Sequence, residues 1–285
     1  MDRVIVAGLA LGALYALTAM VYNTMYSTSK VLSFGAGQFA MVGGIACAWA
    51  MLSLHQPLWL GFLVVIAGGA VFGALTELVA VRRVLDGSDN HLWVLTTLAL
   101  ATIVEQAVGL VWGWEPMPFP RLFVQAKGTL LDQKFWLPVI VAVAAMVLLE
   151  LFYTRTLLGK SFLAVAEDEF AARARGVSST KVRVLSYMLA GAIGALSGMA
   201  AGQLTFADAS LGARLGLGGF LALAVGGIGS NKGCLVGGMF AGLLNSFTTD
   251  QFGAQYQNAV SLSVLALILV IRPQGLFGIR NTRAV

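Results

Sequence analysis

The sequence predicts an all-α polytopic membrane protein with about eight or nine membrane helices and Gly-broken helices in each half. Three observations carry that prediction. Hydrophobic residues make up 58% of the 285-residue chain and charged residues only 11%, whereas soluble domains carry about 25% charged residues. Mean hydropathy is +0.84. Apolar runs at 4–21, 58–81, 92–112, 135–153, 184–202 and 259–271 approach the roughly 20 residues that a bilayer-crossing helix needs. A single membrane domain over 1–285 follows, with no Ser/Pro-rich linker and no soluble module.

The opening run "MDRVIVAGLALGALYALTAMVY" is too long for a signal-peptide core and precedes no small-residue cleavage site, so it reads as a retained helix. Next, "STSKVLSFGAGQFAMVGG" at 27–44 mixes polar residues and glycines into the apolar pattern and reads as a broken helix. The 58–81 run carries Glu77, which sits close enough to its end to snorkel towards Arg82 and Arg83. In the 92–112 run, Glu105 is an acidic residue near mid-bilayer. Such a carboxylate is expensive and marks either a functional site or a buried polar tie between helices. The 135–153 run has Glu150 within reach of Arg155. Finally, "LGLGGFLALAVGGIGSNKGCLVGGMFAGLLNSF" at 215–247 consists of two short, glycine-crowded apolar pieces, a second broken helix. A Gly-broken segment in each half is the sequence pointer to a translocation pathway. It selects Phe34, Gly35, Gly37, Gln38, Gly226 and Gly227 as pathway candidates. The four-residue repeats Gly8/Gly12, Gly69/Gly73, Gly194/Gly198/Gly202 and Gly238/Gly242 read as close helix–helix contacts. Cys47 and Cys234 lie in Gly/Ala-rich apolar segments and read as small packing residues.

The net charge of +5 reads as orientation rather than nucleic-acid binding, because cytoplasmic loops collect Lys and Arg. With 154–183 in the cytoplasm, alternating crossings place Arg82, Arg83, Arg272, Arg280 and Arg283 inside. The Trp-flanked loop between Trp112 and Trp136 then lies outside.

The 154–183 segment, "TRTLLGKSFLAVAEDEFAARARGVSSTKVR", is the strongly charged stretch of this greasy chain. Its "LLGKS" resembles a phosphate-binding loop, but Thr154 stands where the first glycine belongs and no strand precedes it, so it is a decoy. His55 and His91 have no ligand-spaced partners, and no nucleophile–base pair or metal site is visible. From Ser161 onward, Phe162, Val165/Ala166, Phe170 and Ala174 recur at three- and four-residue spacing, predicting one short amphipathic helix. Gly176 stops it, and Ser178 or Ser179 caps the next helix. An apolar face outside the bilayer needs either lipid or a protein groove. The triplet Glu167-Asp168-Glu169 disfavours an anionic leaflet, so docking to a protein is the expectation, with Asp168 and Arg173 among the contacts.

Four blocks, "GALYALTAMVYNTMYSTSKVLSFGAGQFAMVGG", "GKSFLAVAEDEFAARARGVSSTKVR", "LALAVGGIGSNKGCLVGGMFAGLL" and "LALILVIRPQGLFG", occur in the order seen in permeases of branched-chain (hydrophobic) amino acid ABC importers. Over nearly its whole length the chain resembles the shorter permease of such systems. The resemblance implies a multi-pass protein of the bacterial inner membrane that performs no chemistry itself. Its partners would be a second, homologous permease, two cytosolic ABC ATPases that bind ATP and Mg, a periplasmic solute-binding protein, and membrane lipid. The 164–177 block matches the family's ATPase-contacting coupling helix. The family's broken-helix block reads close to N-F-A-H-G-E. Here Ser33-Phe34-Gly35-Ala36-Gly37-Gln38 keeps Phe34 and Gly37 and loses the Asn, His and acidic positions. That departure opens the solute to hydrophobic amino acids, urea, short amides or aromatic acids. A stand-alone ion-coupled transporter using Glu105 is the rival expectation.

Overall fold

The computed structural model describes residues 2–53, 58–85, 92–117, 119, 133–272 and 274–278. Its helices, in chain order, are α1 Asp2–Ser29, α2 Ala36–Ser53, α3 Leu58–Thr76, α4 Arg82–Leu85, α5 Leu92–Trp112, α6 Gln133–Arg155, α7 Leu157–Glu167, α8 Glu169–Ala174, α9 Ser179–Thr205, α10 Leu211–Gly226, α11 Asn231–Gln251 and α12 Gln257–Ile271. A π-helical turn, Glu77–Val81, joins α3 to α4. No β-strand occurs among the described residues, where the single extended pairing is the bridge of Met117 with Ala207.

Among the described residues, six helices are long and apolar enough to cross a membrane, or up to seven if the bent α10–α11 pair is one span. Counting that pair's arms separately and adding the shorter apolar helix Ala36–Met51 reaches the range the sequence suggests. The chain is an all-α polytopic membrane protein.

α1 and α9 form the centre. α1 is apolar around its whole circumference and buried along residues 12–25, as a helix hydrophobic on all sides must be when other helices surround it. By contrast, α5, α6 and α12 expose most of their apolar surface. Glycine sets how closely the central helices approach. A Cβ on Gly12 would lie 2.8 Å from the Gly238 carbonyl oxygen and Met239 Cα, and Gly242 presses on Gly8 and Gly12, so α1 and α11 meet backbone to backbone. Gly69 and Gly73 do the same against Gly191 and Tyr187, and Gly43 and Gly44 against Ala195 and Gly198. Packing by small residues is what draws helices together where lipid is as apolar as leucine. Cys47 and Cys234 are buried and unpaired to one another, in line with a packing role.

Both expected breaks are present. α1 ends at Ser29, and the chain runs non-helically from Lys30 to Gly35 before α2 begins. α10 and α11 meet at 120° across a turn in which Gly227 and Gly229 each adopt φ of 96°, a left-handed backbone that costs glycine nothing.

Two acidic residues are placed differently from the sequence reading. Glu77 does not snorkel to Arg82 or Arg83. It is fully buried and accepts from Nε of Arg183 on α9 at 2.8 Å. Glu150 faces Lys232 of α11 at 3.4 Å rather than Arg155. In each case a cation distant in sequence is nearer in space than the one on the same helix.

Candidate functional site

Residues 154–183 fold back on the end of the bundle as two helices, not the single one expected. Thr156 caps α7, its Oγ1 accepting from Gly159 N at 2.9 Å. α7 stops because Asp168 is extended (φ −152°, ψ 103°) and turns its carboxylate to cap α8, accepting from Ala171 N at 3.0 Å. An Asp at such a position satisfies an orphan N–H of the following helix better than it continues the preceding one. Gly176 (φ 84°) then ends α8, with Gly176 N donating to Arg173 O and Val177 N to Ala172 O at 2.9 and 3.0 Å. This is a glycine C-cap of the kind the sequence suggested. Ser178 occupies the cap position of α9 without a side-chain bond, while Ser179 accepts from Arg173 Nε at 2.8 Å.

The apolar residues of this segment divide between two directions. Phe162 and Val165, expected on the docking face, are each 2% exposed. They form a small core with Ala172 and Val182, against which Phe152, Tyr153 and Val177 pack. Phe162 stands edge-on to Phe152 at 5.3 Å. The expectation that they project outward is corrected: once α8 folds beside α7, the shared face closes on α6 and α9. Phe170 is 84% exposed and Leu157 83%, with Leu158 and Leu163 also exposed. The outward surface therefore consists of Leu157, Leu158, Leu163 and Phe170. It is joined by exposed Glu167 and by Arg173, which pairs with Glu169 at 2.5 Å.

The pathway candidates also separate. Gly37 and Gln38 lie in α2 against α10, where a Cβ on Gly37 would strike Gly212 and Gly216. Tyr22 donates from its hydroxyl to the Gly216 carbonyl at 3.4 Å. Gln38 is 4% exposed. Its Oε1, like Oγ of Ser33, has no hydrogen-bond partner among the described residues. A buried polar atom without a partner is costly. Phe34 is exposed, its N–H donating to Thr97 Oγ1 at 3.4 Å, and Gly35 has room for a Cβ. Gly226 and Gly227 stand about 21 Å further along α10 from Gly212 at 1.5 Å per residue. There they hold the C-terminal segment, with Leu276 N donating to Val225 O at 2.8 Å and Phe277 N to Gly226 O at 2.9 Å. They are not part of the Phe34–Gln38 group, because the length of α10 separates them. Glu105 is partly buried on the sparsely covered helix α5 and has no ion-pair or hydrogen-bond partner among the described residues. His55 and His91 lie outside the described residues.

Sequence reasoning missed the polar ties near the α1–α2 break. Lys30 has φ of 56°, a conformation that costs a side-chain-bearing residue roughly 1–2 kcal/mol. Its ammonium donates to Ala166 O of α7 at 2.7 Å, and desolvation there holds its pKa below the ordinary lysine value. Ser29 Oγ lies 3.4 Å from the Tyr187 hydroxyl of α9. Further into the bundle, Asn23 accepts from Gly229 N at 2.7 Å and donates to Asn231 Oδ1 at 2.7 Å, fixing the α10–α11 turn. The positive-φ lysine leaves no signature in composition or periodicity, whereas Glu77 inside an apolar run is a signal that could have been followed.

This architecture can be placed among known proteins. The sequence profile of the family described as branched-chain amino acid transport system, permease component, matches residues 4–271. The chain belongs to that family. This permease is 29% identical to the high-affinity branched-chain amino acid transport system permease protein BraD of Pseudomonas aeruginosa, over 96% of this chain and 94% of that one. It is 27% identical to LivH of Escherichia coli, a protein of the same description, over 95% and 93% of the two chains. Among solved structures, PsaBC from Streptococcus pneumoniae in complex with Fab aligns with a TM-score of 0.52 at 15% identity, covering 94% of this chain and 91% of that chain. That likeness concerns the fold. The permease is thus a transport subunit and not an enzyme.

Proposed function

We propose that this permease is one membrane subunit of an ATP-driven ABC importer of the bacterial inner membrane. It would pair with a second, homologous permease, two cytosolic ATPases that bind ATP and Mg, and a periplasmic solute-binding protein. Its cargo would be hydrophobic or branched-chain amino acids, or a related small solute. The observation that carries this reading is the split face of 154–183. Phe162 and Val165 fasten the segment to its own bundle, while Phe170 and Leu157 project from it at more than four-fifths exposure. Burying a side chain of that size is worth about 1.5–3 kcal/mol. An exposed cluster on a rigidly seated loop is what a groove on a partner protein can use. The Phe34–Gln38 break, with its open Gln38 and Ser33 oxygens, supplies the pathway element. The departure of that segment from N-F-A-H-G-E bears on which solute passes.

The test is uptake into proteoliposomes holding both permeases and the cognate ATPases, with the binding protein outside. Radiolabelled leucine, phenylalanine, urea and acetamide form the solute panel. Accumulation of one solute that needs ATP and stops when the ATPase's catalytic carboxylate is removed is the expected result. Accumulation driven by a proton or sodium gradient without ATP would contradict the reading.

A further inference from the structure

Lys30 stands where the two candidate segments meet. Its backbone closes α1, with N donating to Tyr26 O at 2.9 Å, and the chain then runs directly into the 31–35 break that carries Phe34 and Gly35. Its side chain turns the other way, and Nζ donates at 2.7 Å to Ala166 O in the last turn of α7. α7 gives way at the extended Asp168, so this carbonyl is among those that a helix C-terminus leaves without an intrahelical donor. A cation there also meets the negative end of the helix dipole. The ammonium is further held 5.8 Å from the centroid of the Tyr26 ring. One residue earlier, Ser29 Oγ accompanies the Tyr187 hydroxyl of α9.

We propose that Lys30 is the positioning residue that carries a displacement of α7 into the α1–α2 break. This proposal rests on the importer reading, in which ATPase closure moves the 154–183 segment. Apolar packing of Phe162 and Val165 seats α7 on its own bundle, whereas the Lys30 ammonium ties α7 to the chain that leads into the α1–α2 break. A charge-assisted hydrogen bond fixes one atom to another. The left-handed Lys30 backbone, φ 56°, is an expensive conformation for a residue with a side chain, so displacement of the tethered ammonium favours its relaxation, which redirects Val31–Gly35. Pathway geometry at Phe34 and Gln38 then follows the loop.

The test has two arms. In the first, the permease alone in nanodiscs, with Cys47 and Cys234 replaced by Ala, carries nitroxide labels at F34C and L163C. Pulsed electron–electron resonance reads the distance distribution across the tie. A narrow distribution with Lys30, retained in Lys30→Arg and broadened in Lys30→Met, is expected. Identical distributions in all three overturn the proposal, whatever transport shows. In the second arm, unlabelled complexes are compared for solute accumulated per ATP hydrolysed, using the solute that the wild-type complex takes up from the panel. Lys30→Met is expected to lower that ratio about two- to fivefold, the scale of one exposed charged contact, with ATPase subunits still recovered. Lys30→Arg is expected to restore most of it. An unchanged ratio in Lys30→Met overturns transmission through Lys30. A wild-type complex that accumulates no solute under ATP refutes the importer reading and, with it, transmission of ATPase motion.

Discussion

Replacing Phe162 by Ala should release the 154–183 segment from the bundle. Phe162 is 2% exposed. Its ring meets Phe152 edge-on at 5.3 Å and Tyr153 at 6.2 Å. Truncating a buried Phe costs about 3–5 kcal/mol, including the cavity left behind. Edge-to-face ring pairs supply about 0.5–1.5 kcal/mol of such losses. The segment cannot absorb that cost. α7 has 11 residues and α8 has 6, lengths at which isolated helices are marginal in water. A loss of 3–5 kcal/mol corresponds to roughly a 10²- to 10⁴-fold rise in the population of the opened segment. Amide hydrogen exchange over 157–174 in nanodiscs reads this directly, and trypsin cleavage after Lys160, Arg173 and Arg175 gives a second readout. Phe170→Ala is the internal control, because Phe170 is already 84% exposed and its removal should leave exchange unchanged. Protection in Phe162→Ala equal to wild type would refute the claim that this ring seats the loop.

Glu77→Gln leaves Arg183 buried without its counter-charge, so the melting temperature in detergent should fall by the equivalent of about 3–5 kcal/mol. The paired change Glu77→Met with Arg183→Met should recover most of that loss, and equal melting of single and double variants would contradict the buried pair. Gln38→Leu keeps the side-chain volume and removes the open Oε1. Assembly and basal ATP hydrolysis should stay near wild type while uptake in proteoliposomes falls, and undiminished uptake would remove Gln38 from the pathway. Glu105→Gln should fold and transport nearly as wild type does, whereas complete loss of uptake with intact assembly would favour an ion-coupled mechanism.

The class of fold was legible because the bilayer imposes it. Runs such as 92–112 and 135–153 are long and apolar, and Gly8/Gly12, Gly69/Gly73 and Gly238/Gly242 repeat at the spacing that close helix contact requires. The breaks at 30–35 and 227–230 were legible too, since glycine and polar residues interrupt those runs. What the one-dimensional pattern does not encode is which way a face turns after folding. Phe162 and Phe170 share a helical periodicity, yet Asp168 ends the helix between them and sends them in opposite directions. Glu77 reads as an end-of-helix residue until α9 brings Arg183 to 2.8 Å. Gly37 and Gly226 look alike in sequence, but one marks the α2–α10 contact and the other anchors the C-terminal segment. Pairing between distant helices decides each of these, and short-range spacing contains no record of it.

Recovery of the ATPase subunits with Phe170→Asp permease asks whether the outward face of 154–183 docks the ATPase. The variant places a charge at the tip of the outward apolar face, where docking would bury it unpaired in the partner's groove. It leaves the Phe162 core untouched. Solubilised complexes are captured through the permease and the ATPase is quantified, with hydrogen exchange over 157–174 confirming that the loop is still seated. Docking through Phe170 predicts loss of the ATPase from a normally inserted permease with a protected loop. Full ATPase recovery with that same protected loop would contradict it.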